Sequence, residues 1–328
     1  MCAAAIEEGE FRGLDSAVIK NGHMRAEFLP GYGSKLASLR DLRSEKEFLF
    51  QPPEDRELSP PGYGAKFARY DASGFDEMFP TIDASFYPAG KWSGERLPDH
   101  GELWSISWDM NTRTGKGKAC IEFSAESKIF PCRLQKRLSL HGSQLQIDYS
   151  LHNRGDEKIE FIWAAHPLFK ANPNMEIILP GDVSSVINVE DSNPHLGCWG
   201  EVHSYPRTQS LLTGEPLDLS SVPGPDRMSI MKFYVQEKLK NGFCALRYPE
   251  EKLLLEFTFP EDRVPYLGVW KSLGGFRGDY NLALEPCTGA FDDLYLAYRT
   301  GRSASVKPGS IYEWWLNFSV KNNDVRKK

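Results

Sequence analysis

Alternation with a period of two runs through much of this chain and constrains its fold more than any other feature. Leu145, Ile147, Tyr149 and Leu151 alternate with Gln146, Asp148, Ser150 and His152. That spacing puts one face of a strand on a core and the other in solvent. Leu134, Leu138 and Leu140 mark a partner strand, and His141-Gly142-Ser143-Gln144 reads as the hairpin turn between them. Ser105–Asp109, Ala119–Phe123, Ile159–Ala165, Leu253–Phe259 and Ile311–Val320 carry the same signal. No window offers an amphipathic helix longer than about ten residues, and 22 prolines and 28 glycines punctuate the chain at intervals that suit short strands.

The pattern predicts an all-β protein built as a large antiparallel β-sandwich. It continues from about Ala17 to Val320 with no flexible linker or shift in composition. One β-sandwich domain over 13–328 is therefore expected, with residues 1–12, rich in alanine and glutamate, as a loose tail. A split near Ser210–Asp226, where Pro, Gly and Ser collect, is the alternative. A length of 328 residues, 41% hydrophobic and 26% charged, suits a sandwich with a substantial core.

Charge and cysteine usage narrow the function. With 39 basic against 45 acidic residues, a formal charge of -6 and no basic cluster, a nucleic-acid partner is not expected. Cys2, Cys120, Cys132, Cys198, Cys244 and Cys287 form no C-x-x-C pair, which indicates free thiols in a reducing compartment and neither a zinc knuckle nor a disulfide framework. Met1–Glu10 lacks the basic start and apolar run of a signal peptide, and no uncharged apolar stretch approaches membrane-spanning length. A cytoplasmic monomer or homodimer without a membrane partner is expected. Nucleotide-binding and serine-hydrolase signatures are missing, since Gly31-x-Gly33 and Gly62-x-Gly64 lack a third glycine and no G-x-S-x-G occurs.

Three short segments hold residues suited to acid/base chemistry. Glu285 follows the strand-like run Tyr280–Leu284 and precedes a Pro-Cys-Thr-Gly turn, a position from which a carboxylate can project into a cleft or lie on the surface in a salt bridge. His166 ends the apolar run Phe161–Ala165, where a neutral ring is favoured unless a carboxylate stabilises its charge; such a histidine can also be a hydrogen-bonded core residue. His100, in Pro98-Asp99-His100-Gly101, sits in a turn where Gly101 permits close approach of a ligand, and Asp99 can either charge the ring or cap the turn. Trp270 can present a ring face to a sugar or pack in the core. Asp76, Glu77 and Asp226 are candidate hydroxyl acceptors, and Arg69 or Arg277 a candidate donor, against the alternative of solvated loop charges.

Taken in order, several segments resemble the aldose 1-epimerase (galactose mutarotase-like) family. Phe28-Leu29-Pro30-Gly31-Tyr32-Gly33 followed by Lys35–Leu39 is similar to its opening hairpin, and Gly74-Phe75-Asp76-Glu77-Met78-Phe79-Pro80-Thr81-Ile82 to its substrate-side loop. The His100, His166 and Glu285 segments follow in the family's order, then the likeness of Gly214–Asp218 and Gly224-Pro225-Asp226 to a later loop extends it over nearly the whole chain. The family's Asn-His-Ser-Tyr is Ala165-His166-Pro167-Leu168 here and its Leu-Glu-Thr-Gln is Leu284-Glu285-Pro286-Cys287, which marks a divergent branch and leaves the particular sugar open.

The resemblance implies a galactose mutarotase-like supersandwich and an isomerase that interconverts the α and β anomers of a hexose or related sugar. Glu285 would take the C1 hydroxyl proton, His166 would protonate the ring oxygen, and His100, Asp226, Trp270, Asp76, Glu77 and Arg69 would hold the substrate. Two positioned groups suffice for this chemistry, so no metal and no organic cofactor is expected. The alternatives are a carbohydrate-binding or sugar-sensing protein without turnover, and a glycoside hydrolase or lyase pairing Glu285 with Asp76, Glu77 or Asp226.

Overall fold

A computed structural model describes residues 3–115, 118–225 and 228–323. Two large antiparallel sheets dominate it, one of twelve strands and one of eight. The twelve-stranded sheet runs from the edge strand Ala5–Phe11 through Leu14–Lys20, Met24–Leu29, Lys35–Asp41, Phe75–Met78, Ala164–Lys170, Tyr280–Cys287, Tyr266–Leu273, Ile230–Val235 and Ser185–Asn188 to Val202–Ser204, with the twelfth strand, Lys46–Glu47, paired to Lys35–Asp41 off this path. The eight-stranded sheet is centred on the long strands Cys132–His141, Gln144–Asn153 and Ile311–Asn322. Strands from both sides of Ser210–Asp226 enter both sheets.

The alternation read from the sequence places side chains as expected. Leu145, Ile147, Tyr149 and Leu151 are buried while Gln146, Asp148, Ser150 and His152 are partly exposed. His141 pairs with Gln144 across a two-residue turn with Gly142 in the left-handed region (φ 59°), which suits glycine and the right-handed twist of the flanking strands. The sheets meet through interlocked aromatics: Phe28 on Phe123 (5.6 Å), Phe75 on Phe318 (5.9 Å) and Phe169 on Phe257 (5.4 Å) each join the larger sheet to the smaller. Such pairs contribute about 0.5–1.5 kcal/mol apiece beyond the burial of their area.

Three expectations are corrected. Within the expected loose tail, Ala5–Phe11 is a strand paired along its whole length with Leu14–Lys20. Glu7, Glu8 and Glu10 are exposed on this sheet edge, where charge protects against edge-to-edge association; their composition was that of an edge, not of disorder. The run Ile159–Ala165 is divided: Ile159–Phe161 pairs with Ala304–Val306, and Ala164–Lys170 enters the large sheet. Around Ser105–Asp109 the chain first makes a short 3₁₀ turn at Leu103–Ser105, and the strand begins at Asp109.

Asp76 and Glu77, expected on a substrate-side loop, lie in the buried strand Phe75–Met78. Successive strand residues face opposite ways, so the two carboxylates go to different places. Glu77 turns between the sheets, where Lys136 Nζ, Tyr149 Oη and Trp163 Nε1 donate to it at 2.9, 3.0 and 2.8 Å. Asp76 meets Lys35 Nζ at 2.6 Å, beside Asp71 and Tyr32. Burial is the main force raising the Asp76 carboxyl to about 6, with Lys35 opposing it.

Candidate active site

The site is assembled by register. Ala164 pairs with Cys287 and Leu168 with Ala283, which sets His166 across from Glu285. His166 also pairs with Asp76, Glu285 with Gly268, and Gly268 with Tyr234. A row Asp76, His166, Glu285, Gly268, Tyr234 thus crosses the large sheet on the face turned away from Glu77. The neighbouring row carries Lys232, Trp270, Ala283 and Leu168. Gly268 leaves the space that the row needs, since a Cβ there would stand 3.2 Å from both Glu285 Oε2 and the Tyr234 ring.

Over this face lies a pocket of about 270 Å³ lined by Phe67, Asp83, His100, His166, Lys232 and Trp270 among others. Drug-sized ligands occupy about 300 Å³ or more, so a single sugar ring matches the space better than an oligosaccharide. Trp270 lines the pocket with its edge contact to Phe276 (6.0 Å). Phe67 stacks on the His100 ring (4.0 Å, 6° between planes) and meets His166 edge-on.

His100 is held from three sides. Asp99 Oδ1 lies 2.7 Å from its Nδ1, while Asp99 Oδ2 accepts the Phe67 N–H at 2.9 Å. Burial pushes the Asp99 carboxyl up, but His100, the Phe67 N–H and Lys66 together outweigh it and hold the group below its usual range. His100 and Gly101 are both left-handed (φ 59° and 74°), and a Cβ on Gly101 would lie 2.0 Å from Phe79 O. Strained positions of this kind cost about 1–3 kcal/mol and gather at functional sites. Gly101→Ala is therefore expected to lose about 1–3 kcal/mol or more, read as a lower denaturation midpoint with an unchanged slope.

Glu285 has no exposed surface and is not itself a lining residue. Its Oε1 lies 3.8 Å from His166 Nε2 and its Oε2 3.1 Å from Lys232 Nζ. Neither oxygen accepts a hydrogen bond of good angle from the described residues. Burial raises the Glu285 carboxyl above 4.5, Lys232 opposes that rise and Asp292 adds to it. Lys232 Nζ also meets Asp292 Oδ1 at 2.8 Å, and Tyr234 Oη donates to the same oxygen at 2.7 Å.

His166 is held toward its neutral form, where the resemblance implies a protonated acid. Burial is the first cause, with His100, Lys232 and Lys35 adding positive charge nearby, and together they hold it well below 6.5. Its ring should stay neutral at pH 6.5, where a free histidine is half protonated; ring ¹⁵N shifts measure this, and a cationic ring at that pH would contradict it. The sign for stability follows: the unfolded chain takes up the proton first, so this residue's contribution falls as pH drops below about 6.5.

Of the residues singled out from sequence, the fold brings His100, His166, Trp270 and Glu285 together. Asp76 stands beside His166 in register yet is tied to Lys35 and does not line the pocket. Glu77 is locked between the sheets. Arg69 is exposed on the short turn Phe67–Arg69, beside a separate cleft with Glu57 and Lys66, and Arg277 is an exposed residue donating to Tyr70 O. Asp226 lies outside the described residues. Sequence reasoning missed Lys232, Asp292, Asp83 and Tyr234. Lys232 did carry a signal, a lone charge inside the apolar strand Ile230–Val235, because a cation buried there must find partners.

No protein-family model and no curated protein matches the chain. Solved structures do. Slr1438 from Synechocystis sp. PCC 6803 superposes with a TM-score of 0.69 at 18% identity, over 97% of this chain and 96% of that one. A galactose mutarotase-like protein from Clostridium acetobutylicum gives 0.68 at 15% identity, over 98% and 99%. Another from Lactobacillus casei ATCC 334 gives 0.67 at 16%, over 93% and 100%. No helix among the described residues is long and apolar enough to cross a membrane. Two antiparallel sheets of this order, superposing over nearly the full length of such proteins, give the chain the galactose mutarotase-like fold.

Proposed function

We propose that the protein is an aldose 1-epimerase-like isomerase that interconverts the anomers of a hexose or related sugar by acid/base ring opening. The observation that carries the reading is Glu285: a buried carboxylate beside the His166 imidazole at a ring-sized pocket, ion-paired with Lys232 yet receiving no hydrogen bond of good angle from the described residues. Buried polar atoms are nearly always satisfied, and a sugar hydroxyl would satisfy this one. Glu285 takes the C1 hydroxyl proton; the ring oxygen receives a proton from the imidazole side. With His166 neutral, the ring held by Asp99, His100, shares that acid role.

The pocket's charges favour an unphosphorylated substrate. Among the described residues, Asp83, Asp99, Glu190 and Asp292 line it against one lysine, Lys232, which is already committed to Glu285 and Asp292. A phosphate needs unpaired cations or a guanidinium fork. No metal or cofactor is part of this proposal, and residence in the cytoplasm belongs to it as well.

One observation favours a sugar-binding protein without turnover: Glu285 lies behind His166 and Lys232 with no exposed surface. Polarimetry or exchange NMR on freshly dissolved α-anomers separates the readings. The isomerase accelerates equilibration in proportion to its concentration, whereas a binder leaves the buffer rate unchanged.

A further inference from the structure

We propose that Lys232 is a positioning residue for Glu285: its ammonium, clamped by Asp292, keeps the buried carboxylate ionised and fixed toward the pocket. The proposal rests on the role of Glu285 as base. Lys232 is nearly buried, and its Nζ reaches Glu285 Oε2 at 3.1 Å and Asp292 Oδ1 at 2.8 Å. Tyr234, two residues further along the same face of the strand, donates to that same Asp292 oxygen at 2.7 Å. Asp292 is thereby held by two donors from one strand, which fixes the carboxylate that anchors the ammonium beside Glu285.

A carboxylate with no exposed surface would otherwise favour its neutral form, in which it cannot accept a proton. Lys232 supplies the opposing charge, and its own burial is outweighed by Asp292 and Glu285, which hold it cationic. A cationic amine is not a nucleophile, so imine formation with the opened sugar is not part of its role.

Glu285 faces Lys232 and Tyr234 from Ile230–Val235, His166 from Ala164–Lys170, Asp292 and Cys287 from its own segment, and His100 from the loop above. The strand Tyr266–Leu273 presents Gly268 to it. Among these groups Lys232 is the largest influence holding the proton off Glu285, and Asp292 is the principal carboxylate pushing the other way.

The test is the pH profile of anomer equilibration. Turnover requires ionised Glu285 and so falls as pH falls. Lys232→Met should move that acidic limb up by at least about one pH unit, the effect of removing a close opposite charge, with turnover recovering at higher pH. Lys232→Arg should keep the limb near its wild-type position. Asp292→Asn should move it down, because a repelling carboxylate is gone and Lys232 is left to Glu285 alone. Should Lys232→Met not fold, Lys232→Gln, which removes the charge and keeps a polar group of similar reach, should move the limb up in the same way. A limb that stays in place in the folded Met or Gln variant and in the Asn variant overturns the proposal. If the wild-type protein equilibrates no sugar, the isomerase reading fails by itself. The charge relation is then read by ¹³C NMR titration of the Glu285 carboxyl, assigned by its loss in Glu285→Gln, with the same directions expected.

Discussion

Glu285→Gln is expected to slow sugar equilibration by at least about 10²-fold, the contribution of one positioned acid or base, with little change in sugar affinity. The carboxamide keeps the size of the side chain and one acceptor oxygen, so contacts to a hydroxyl survive. What it loses is basicity. Because a base acts on the transition state, kcat and kcat/KM should fall together while KM changes little. The pH profile provides a second check. Burial raises Glu285 above the ordinary carboxylate range, so the wild-type acidic limb lies above 4.5, and turnover declines as pH falls through it. The Gln variant should lack that limb. Wild-type turnover in this variant, measured by polarimetry on a fresh α-anomer, would remove Glu285 from the chemistry.

Lys136→Met is expected to cost about 3–5 kcal/mol of folding stability, the cost of breaking a buried ion pair on one side. Lys136 is 1% exposed; its Nζ donates to Glu77 Oε1 at 2.9 Å and to Ser34 O at 2.8 Å. Burial lowers the lysine from its usual range, with Glu77 opposing. Methionine fills much the same volume, so the loss comes from Glu77, left as a carboxylate between two sheets without its cation. Tyr149 and Trp163 still donate to it, which places the outcome nearer the lower figure. Adding Glu77→Gln should recover much of the loss, since a neutral amide that accepts from Trp163 Nε1 and donates to Tyr149 Oη carries no uncompensated charge. Urea denaturation of the two single variants and the double variant measures the coupling. Additive losses would mean that the pair contributes nothing as a pair.

These two carboxylates differ in role for a reason that local sequence does not carry. Glu77 and Glu285 each sit in an apolar run, and each was assigned to the sugar site from its motif. In the structure both are buried strand residues, but they belong to opposite faces of one sheet. Glu77 faces the second sheet, which supplies Lys136 and Tyr149, while Glu285 faces loops that leave a hollow. Arg69 went wrong more simply: its turn puts Phe67 on the His100 ring and sends the arginine to solvent.

The alternation of Leu145–Leu151 and the hairpin at Gly142 sufficed to establish the all-β class, and short segments resembling one family sufficed to single out His100, His166 and Glu285 as candidate site residues. Such features are local, because strand periodicity and turn chemistry act over a few neighbouring residues. Only the tertiary structure decided that Ala5–Phe11 is an edge strand, that His166 is neutral, and that Lys232, Asp292 and Tyr234 complete the surroundings of Glu285. Those outcomes depend on strand order and burial. Residues 166, 232 and 285 become neighbours through register between three strands, and the electrostatic state of each is set first by burial and then by groups that lie far off in the chain.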